Sequence, residues 1–292
     1  MSDLFGISVQ SPTSDYIALR DDPRHSALKV LAQEMWRSFE PFADPEFRTE
    51  FALQIHPRFW EMYLGSHLIR TGFKLLPRKA SAGPDFHVRQ DSQEIWIEAA
   101  APDEGQGPDA VPSIFEERPF EPVPEDQIIL RFTNAIGLKK ARRDAYIAEG
   151  VVQAGDPFVI AINGRGLPMT LYEGPLPAII RAVYPFGKYK VTFRVLTGET
   201  VREGYERRTE IEKNSGSPVP TTAFIDPTYA GISGILYSSA ALWDYPPSPG
   251  SEFLYIHNSM ATSPIRQGFF PSGKECFLQG NGILISDHGA GA

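Results

Sequence analysis

Asp85 and Glu98 are the residues of this chain best placed to do chemistry. Asp85 follows Pro84, and Glu98 closes the apolar run Ile95-Trp96-Ile97. Two carboxylates brought together by adjacent strands make an oxygen-ligand site for a hard cation such as Mg²⁺, with Mn²⁺ as a substitute. An ion held there can activate water and stabilise charge on a phosphate and its leaving group. A carboxylate at a half-buried strand position costs free energy unless it is paired, so Glu98 asks for a reason. Asp85, standing after a proline, also suits an ordinary turn or cap. Positive charge gathers further on, in Arg131, Lys139, Lys140, Arg142 and Arg143, where a helix could meet phosphates or simply present a solvated face.

The elements that must position these groups can be read from pattern. Residues 1 to 24 lack periodicity and read as a loop-rich arm before a helix in HSALKVLAQEMWRSFEPF. Phe47, Phe51 and Ile55, then Trp60, Leu64 and Leu68, give helical spacing on either side of Pro57, which should open a second helix or kink the first. Gly72 stands where a left-handed cap is needed. Three extended pieces follow, at Phe73 to Leu76, Asp85 to Arg89 and Glu94 to Ala101, with DSQ as a hairpin turn between the last two. Alternation along the third strand points Glu98 to the side of Trp96 and Ala100. A Pro- and Gly-rich loop spans Asp103 to Pro124, then a long helix runs from Pro124 to Tyr146 with Gly150 beyond it, and DPFVIAING makes a buried strand.

After Gly164 the pattern predicts a short helix near Leu176 to Tyr184, strands in YKVTFRV, GISGILYSS and EFLYIHN, and a final strand in FLQGNGILIS. The polar stretch VREGYERRTEIEKNSGSPVP reads as a mobile insertion. The chain of 292 residues, 42% hydrophobic with 26 prolines and 25 glycines, predicts a mixed α/β protein rich in loops. It shows no basic start and no apolar run long enough to span a bilayer, so the expected location is cytoplasmic with no membrane partner. A net charge of −8 argues against coating nucleic acid by bulk electrostatics but leaves room for a local site. Cys276 is alone and expected to be a buried, inert thiol. The six histidines show no HExxH spacing, and NGRGLP lacks the spacing of a phosphate-binding loop.

The run from Glu61 through Gly83-Pro84-Asp85 to Ile95-Trp96-Ile97-Glu98, followed by the helix from Glu125 to Tyr146, resembles the PD-(D/E)XK, or restriction-endonuclease-like, nuclease superfamily. That superfamily's core is helix, three strands, helix, strand, the order read here over residues 45 to 164. The resemblance implies an α/β (mixed α+β) fold with a central mixed sheet flanked by helices. It leaves residues 1–44 as an N-terminal arm and helix and 165–292 as a C-terminal β-rich extension. It also implies a nuclease dependent on Mg²⁺ or Mn²⁺ that hydrolyses phosphodiester bonds in nucleic acid, DNA above all, while the sequence leaves monomer and homodimer both open. Asp85 and Glu98 resemble the two metal-binding acids, and Glu61 an additional acid of the preceding helix that binds metal or its water. The departure is Ala100, where the family's lysine should stand. Lys139, on the following helix, is the candidate to supply that ammonium from another element, with Arg131 and Lys140 as substrate contacts. The alternative is a fold member that has lost catalysis with its lysine and binds nucleic acid or a protein partner.

Overall fold

Beyond Thr13, whose hydroxyl accepts the Tyr16 N–H, the chain forms α1 (Ser14–Asp21) in place of the irregular arm expected there. A computed structural model of the protein describes residues 2–77, 83–112, 123–168, 170, 176–280 and 282–287. Helices α2 (Ser26–Phe39), α3 (Phe47–Leu53) and α4 (Ile55–Arg70) follow. Pro57 lies in the first turn of α4, where a missing N–H breaks no helical bond. Gly72, at φ 92°, takes the left-handed conformation that stops the helix.

Strands β1 (Lys74–Leu75), β2 (Phe86–Gln90) and β3 (Gln93–Ala100) form an antiparallel meander. The turn between β2 and β3 holds Asp91 at φ 54°, a conformation aspartate tolerates. Helix α5 (Glu125–Ala148) then crosses the sheet, and β4 (Phe158–Asn163) returns parallel to β3. The expected order of helix, three strands, helix and strand is therefore present. Of the loop expected over Asp103 to Pro124, residues 113–122 lie outside the described residues.

The remaining elements are α6 (Ala178–Arg181), β5 (Phe186–Phe193), β6 (Thr200–Arg207), β7 (Glu210–Glu212), β8 (Pro218–Pro220), β9 (Gly234–Ser238), β10 (Leu254–His257), β11 (Lys274–Gln279) and β12 (Gly282–Asp287). Eight strands make one mixed sheet in the order β1-β2-β3-β4-β9-β10-β11-β12, while β5-β6 and β7-β8 are separate two-stranded ribbons. Two expectations need correction. FLQGNGILIS holds two strands, because Gly280 at φ 58° turns the chain and β12 pairs back on β11. VREGYERRTEIEKNSGSPVP is ordered as β6, β7 and β8: its polar residues alternate along strands paired to neighbours, and Ile211 is buried.

Alternation along the central strands divides the core. Ile95, Ile97, Val159 and Ala161 pack against the layer of α2, α3 and α4. Trp96, Ile160 and Ile162 meet Ile128, Ile129, Phe132 and Ile136 of α5. Helix α4 sits tightly on the sheet: the Trp60 indole N–H donates to the Ala161 carbonyl at 3.1 Å, and a Cβ at Gly65 would lie 2.5 Å from the Phe39 ring. The mixed α/β architecture with flanking helices is thus the observed one, and among the described residues no helix is long and apolar enough to cross a membrane.

Candidate active site

Register brings the two acids together. β2 pairs with β3 so that Phe86 faces Ile97, and continuing that register by one step sets Asp85 against Glu98. The Asp85 carboxylate accepts the Ala99 backbone N–H through Oδ2 at 2.7 Å, fixing it at the start of its strand. Glu98 is 3% exposed and points to the α5 side of the sheet, as the alternation with Trp96 requires.

Helix α5 supplies the partners. The Lys139 ammonium donates to Glu98 Oε1 at 2.9 Å, and the Tyr146 hydroxyl donates to Oε2 at 3.3 Å. Lys139 and Tyr146 are seven residues apart, two turns of helix, so one face of α5 presents both. Arg142, one turn beyond Lys139, carries its guanidinium over the Tyr146 ring at 5.6 Å. Burial pushes the Glu98 carboxyl above the usual range and the charge of Asp85 pushes it further, while Lys139 and Arg142 pull it back down. Burial and the neighbouring Glu98 likewise raise the Tyr146 hydroxyl to about 12.

Glu61 enters from α4 and is also buried. Its carboxylate meets Arg58 at 2.5 Å, and the same guanidinium binds Asp44 at 3.3 Å and Glu50. Glu61, Asp85 and Lys139 share the wall of one small cleft of about 170 Å³, together with Ala99, Ala100 and Ala101. The three alanines keep the β3 end of that cleft low. Lys139 reaches Glu98 from the neighbouring helix.

Two expected contacts fall elsewhere. Arg131 binds Asp103 through both its carbonyl and its carboxylate at 2.8 Å and does not line the cleft. Lys140 forms an ordinary helical pair with Asp144 at 2.7 Å. Tyr146 and Arg58 are the site residues that sequence reasoning missed. Tyr146 carries a usable signal in its heptad spacing from Lys139, but it equally serves the apolar stripe of α5. Arg58 has none, because its role depends on where α3 and the chain before it place Glu50 and Asp44.

Comparison with protein-family models, curated proteins and solved structures finds no match to this chain. The site must therefore be judged on its own chemistry. Among the described residues, no group of three or more His, Cys, Asp or Glu side chains is arranged to hold a metal ion. The donor set does fit a sparse hard-cation site. Asp85 and Glu98 offer anionic oxygens close enough for one charge to raise the pKa of the other, and Mg²⁺ characteristically takes one or two protein carboxylates and fills its remaining positions with water and phosphate oxygens. Cys276 is fully buried, its thiol pushed up to about 12 by that burial, which leaves it out of any nucleophilic role near neutral pH.

Proposed function

We propose that the protein is a divalent-metal-dependent nuclease that hydrolyses phosphodiester bonds, with DNA as its substrate. The observation that carries the reading is the Lys139 ammonium, 2.9 Å from Glu98 in the cleft that Asp85 also lines. It supplies from α5 the cation that the strand lacks at Ala100.

In this reading Asp85 and Glu98 would hold Mg²⁺ or Mn²⁺, with Glu61 beside them. The cation, when bound, supplies positive charge at the scissile phosphate and its leaving oxygen and favours ionisation of water. The chain's own groups do the rest. Lys139 donates toward the charge that develops on the phosphate, a role worth about 10²–10³-fold in rate for one well-placed donor. Tyr146 fixes the rotamer of Glu98 by holding Oε2, and Arg58 sets the inward angle of Glu61. Glu98 must be ionised to serve as a ligand, so its raised pKa should make activity fall on the acid side at higher pH than an ordinary glutamate would.

A second reading, a module that binds nucleic acid or protein without cleaving, draws on the fact that both Glu98 oxygens already accept from protein donors. One experiment separates the two: incubation of plasmid and single-stranded DNA with Mg²⁺ and with Mn²⁺. Cleavage that disappears in Asp85→Ala and Glu98→Ala supports the enzyme. Intact DNA in both metals, with binding retained, favours the module.

A further inference from the structure

Helix α5 carries five cations that could meet a phosphate, and four of them are already engaged. Arg131 is held by Asp103 at 2.8 Å. Lys139 gives its ammonium to Glu98 at 2.9 Å. Lys140, about 100° round the helix from Lys139, pairs with Asp144. Arg143 is buried, where it donates to the Ala154 carbonyl at 2.8 Å and lies over the Phe158 ring. Arg142 is left. Its side chain is exposed, and its guanidinium makes no ion pair or hydrogen bond among the described residues.

Position on the helix aims Arg142 at the acids. Residues of a helix follow one another at about 100°, so Lys139, Arg142 and Tyr146 fall within a sector of about 60°. That sector faces Glu98, since Lys139 and Tyr146 both reach its carboxylate. The Arg142 guanidinium sits over the Tyr146 ring at 5.6 Å, a contact that keeps the group on this side of the helix and uses none of its N–H donors. Its charge is felt at the site: burial and Asp85 raise the Glu98 carboxyl, and Arg142 acts with Lys139 to pull it back.

The cleft beside these groups is small. At about 170 Å³ it falls below the roughly 300 Å³ at which pockets for whole small molecules begin, so it suits a phosphate group better than a nucleotide. The rest of a bound strand must run outside it, past the side chains at its border. A guanidinium there offers a planar fork of parallel N–H donors, which matches two oxygens of one phosphate.

We propose that Arg142 is the backbone clamp of the site: its guanidinium takes, through two N–H donors, a phosphate that adjoins the scissile one along the strand, while the scissile phosphate enters the cleft at Lys139. The identity of the ligand rests on the nuclease reading. Arg142 stands three residues beyond Lys139, about 4.5 Å of helical rise, so the two cations serve neighbouring groups of one strand. A contact of this kind adds affinity and fixes register without reading sequence.

The test is fluorescence anisotropy of labelled single-stranded and duplex oligonucleotides with the full chain, in EDTA and in Ca²⁺, from about 50 to about 200 mM salt. Each phosphate contact on a duplex contributes about 0.9 to the slope of log K against log salt. Arg142→Gln should lower that slope by about 1 and weaken binding about tenfold, equally for unrelated sequences. Arg142→Lys should keep the slope and recover part of the affinity, because the charge stays and the fork is lost. Since Arg142 is exposed, Arg142→Gln should leave the thermal midpoint unchanged. The change in slope should persist in a Glu98→Gln background; its disappearance there would mean that Arg142 acts through the carboxylate, and would overturn the inference. An equal drop in Lys140→Gln would mark diffuse surface charge and overturn it too. Wild-type slope in Arg142→Gln overturns the inference alone if the wild type still cleaves DNA. A lowered slope in a protein that never cleaves upholds the clamp and removes the nuclease reading. A wild type with no affinity for either oligonucleotide in either condition overturns both.

Discussion

Replacing Lys139 by methionine should expose how strongly the site depends on one ion pair. The ammonium is 2.9 Å from a carboxylate that is 4% exposed in its side chain, while the lysine side chain is 24% exposed. At that distance and an effective dielectric of about 20, the gross attraction is about 6 kcal/mol. Water around the partly exposed lysine and the desolvation of Glu98 remove most of it. A loss of about 2–3 kcal/mol on truncation is expected, below the range for fully buried pairs. The pH dependence carries a sign. Burial and Asp85 raise the Glu98 pKa in the folded state above its unfolded value of 4.5. Stability from protonated Glu98 is therefore fully present below 4.5 and is lost as pH rises through the folded pKa. Removing Lys139 deletes an interaction that lowers that pKa, so the window of loss moves upward and deepens. Urea denaturation should find Lys139→Met nearly as stable as wild type near pH 4.5 and most impaired near pH 8. In a Glu98→Gln background, where no charge is left stranded, the same substitution should cost less than about 0.5 kcal/mol. Equal costs in both backgrounds at every pH would mean that Lys139 and Glu98 are not coupled.

Other outcomes follow from the same contacts. Tyr146→Phe should cost about 0.5–1.5 kcal/mol, the loss of one hydrogen bond to Glu98, in chemical denaturation. Arg58→Ala removes the guanidinium shared by Asp44, Glu50 and Glu61, and should cost about 3 kcal/mol, with a larger deficit at neutral than at acid pH because protonation relieves the gathered carboxylates. Gly65→Ala places a Cβ 2.5 Å from the Phe39 ring and should lower stability by about 1–3 kcal/mol, read as a lower denaturation midpoint with an unchanged slope. Asp85→Asn removes the charge that raises Glu98, so NMR titration of the Glu98 side-chain carbonyl should show a lower pKa than in wild type.

Much of this organisation could be read from the chain because local chemistry and tertiary demand agree. The period of two in Ile95, Trp96, Ile97 and Glu98 fixes which face the acid takes, and the turn at Asp91 fixes the register that sets Asp85 against it. Gly72 and Gly150, both at positive φ, end the two long helices where expected. Lys139 could be named because a lysine side chain spans the gap between helix and strand. The misses arise where one residue type serves two ends. Tyr146 looks like core and is core, yet its hydroxyl reaches Glu98. The segment from Val201 to Pro220 is too polar to announce strands, and its order comes from pairing with neighbours that composition does not reveal. Thr13 is a cap by residue type, but it stands among residues 1 to 24, which show no periodicity to announce the helix behind it. Arg58 has no local signal, since its three carboxylates come from separate turns of chain.

If α5 provides through Lys139 the cation that β3 lacks at Ala100, moving the ammonium between the two elements has a definite outcome. Metal-dependent DNA cleavage would be measured for the wild type, Lys139→Met and Ala100→Lys/Lys139→Met in Mg²⁺ and Mn²⁺. The wild type should cleave, Lys139→Met should lose about 10²–10³-fold, and the double variant should recover at least about tenfold of that loss by offering an ammonium from the strand. A wild type inert in both metals, or a Lys139→Met protein as active as wild type, would mean that Lys139 plays no such part.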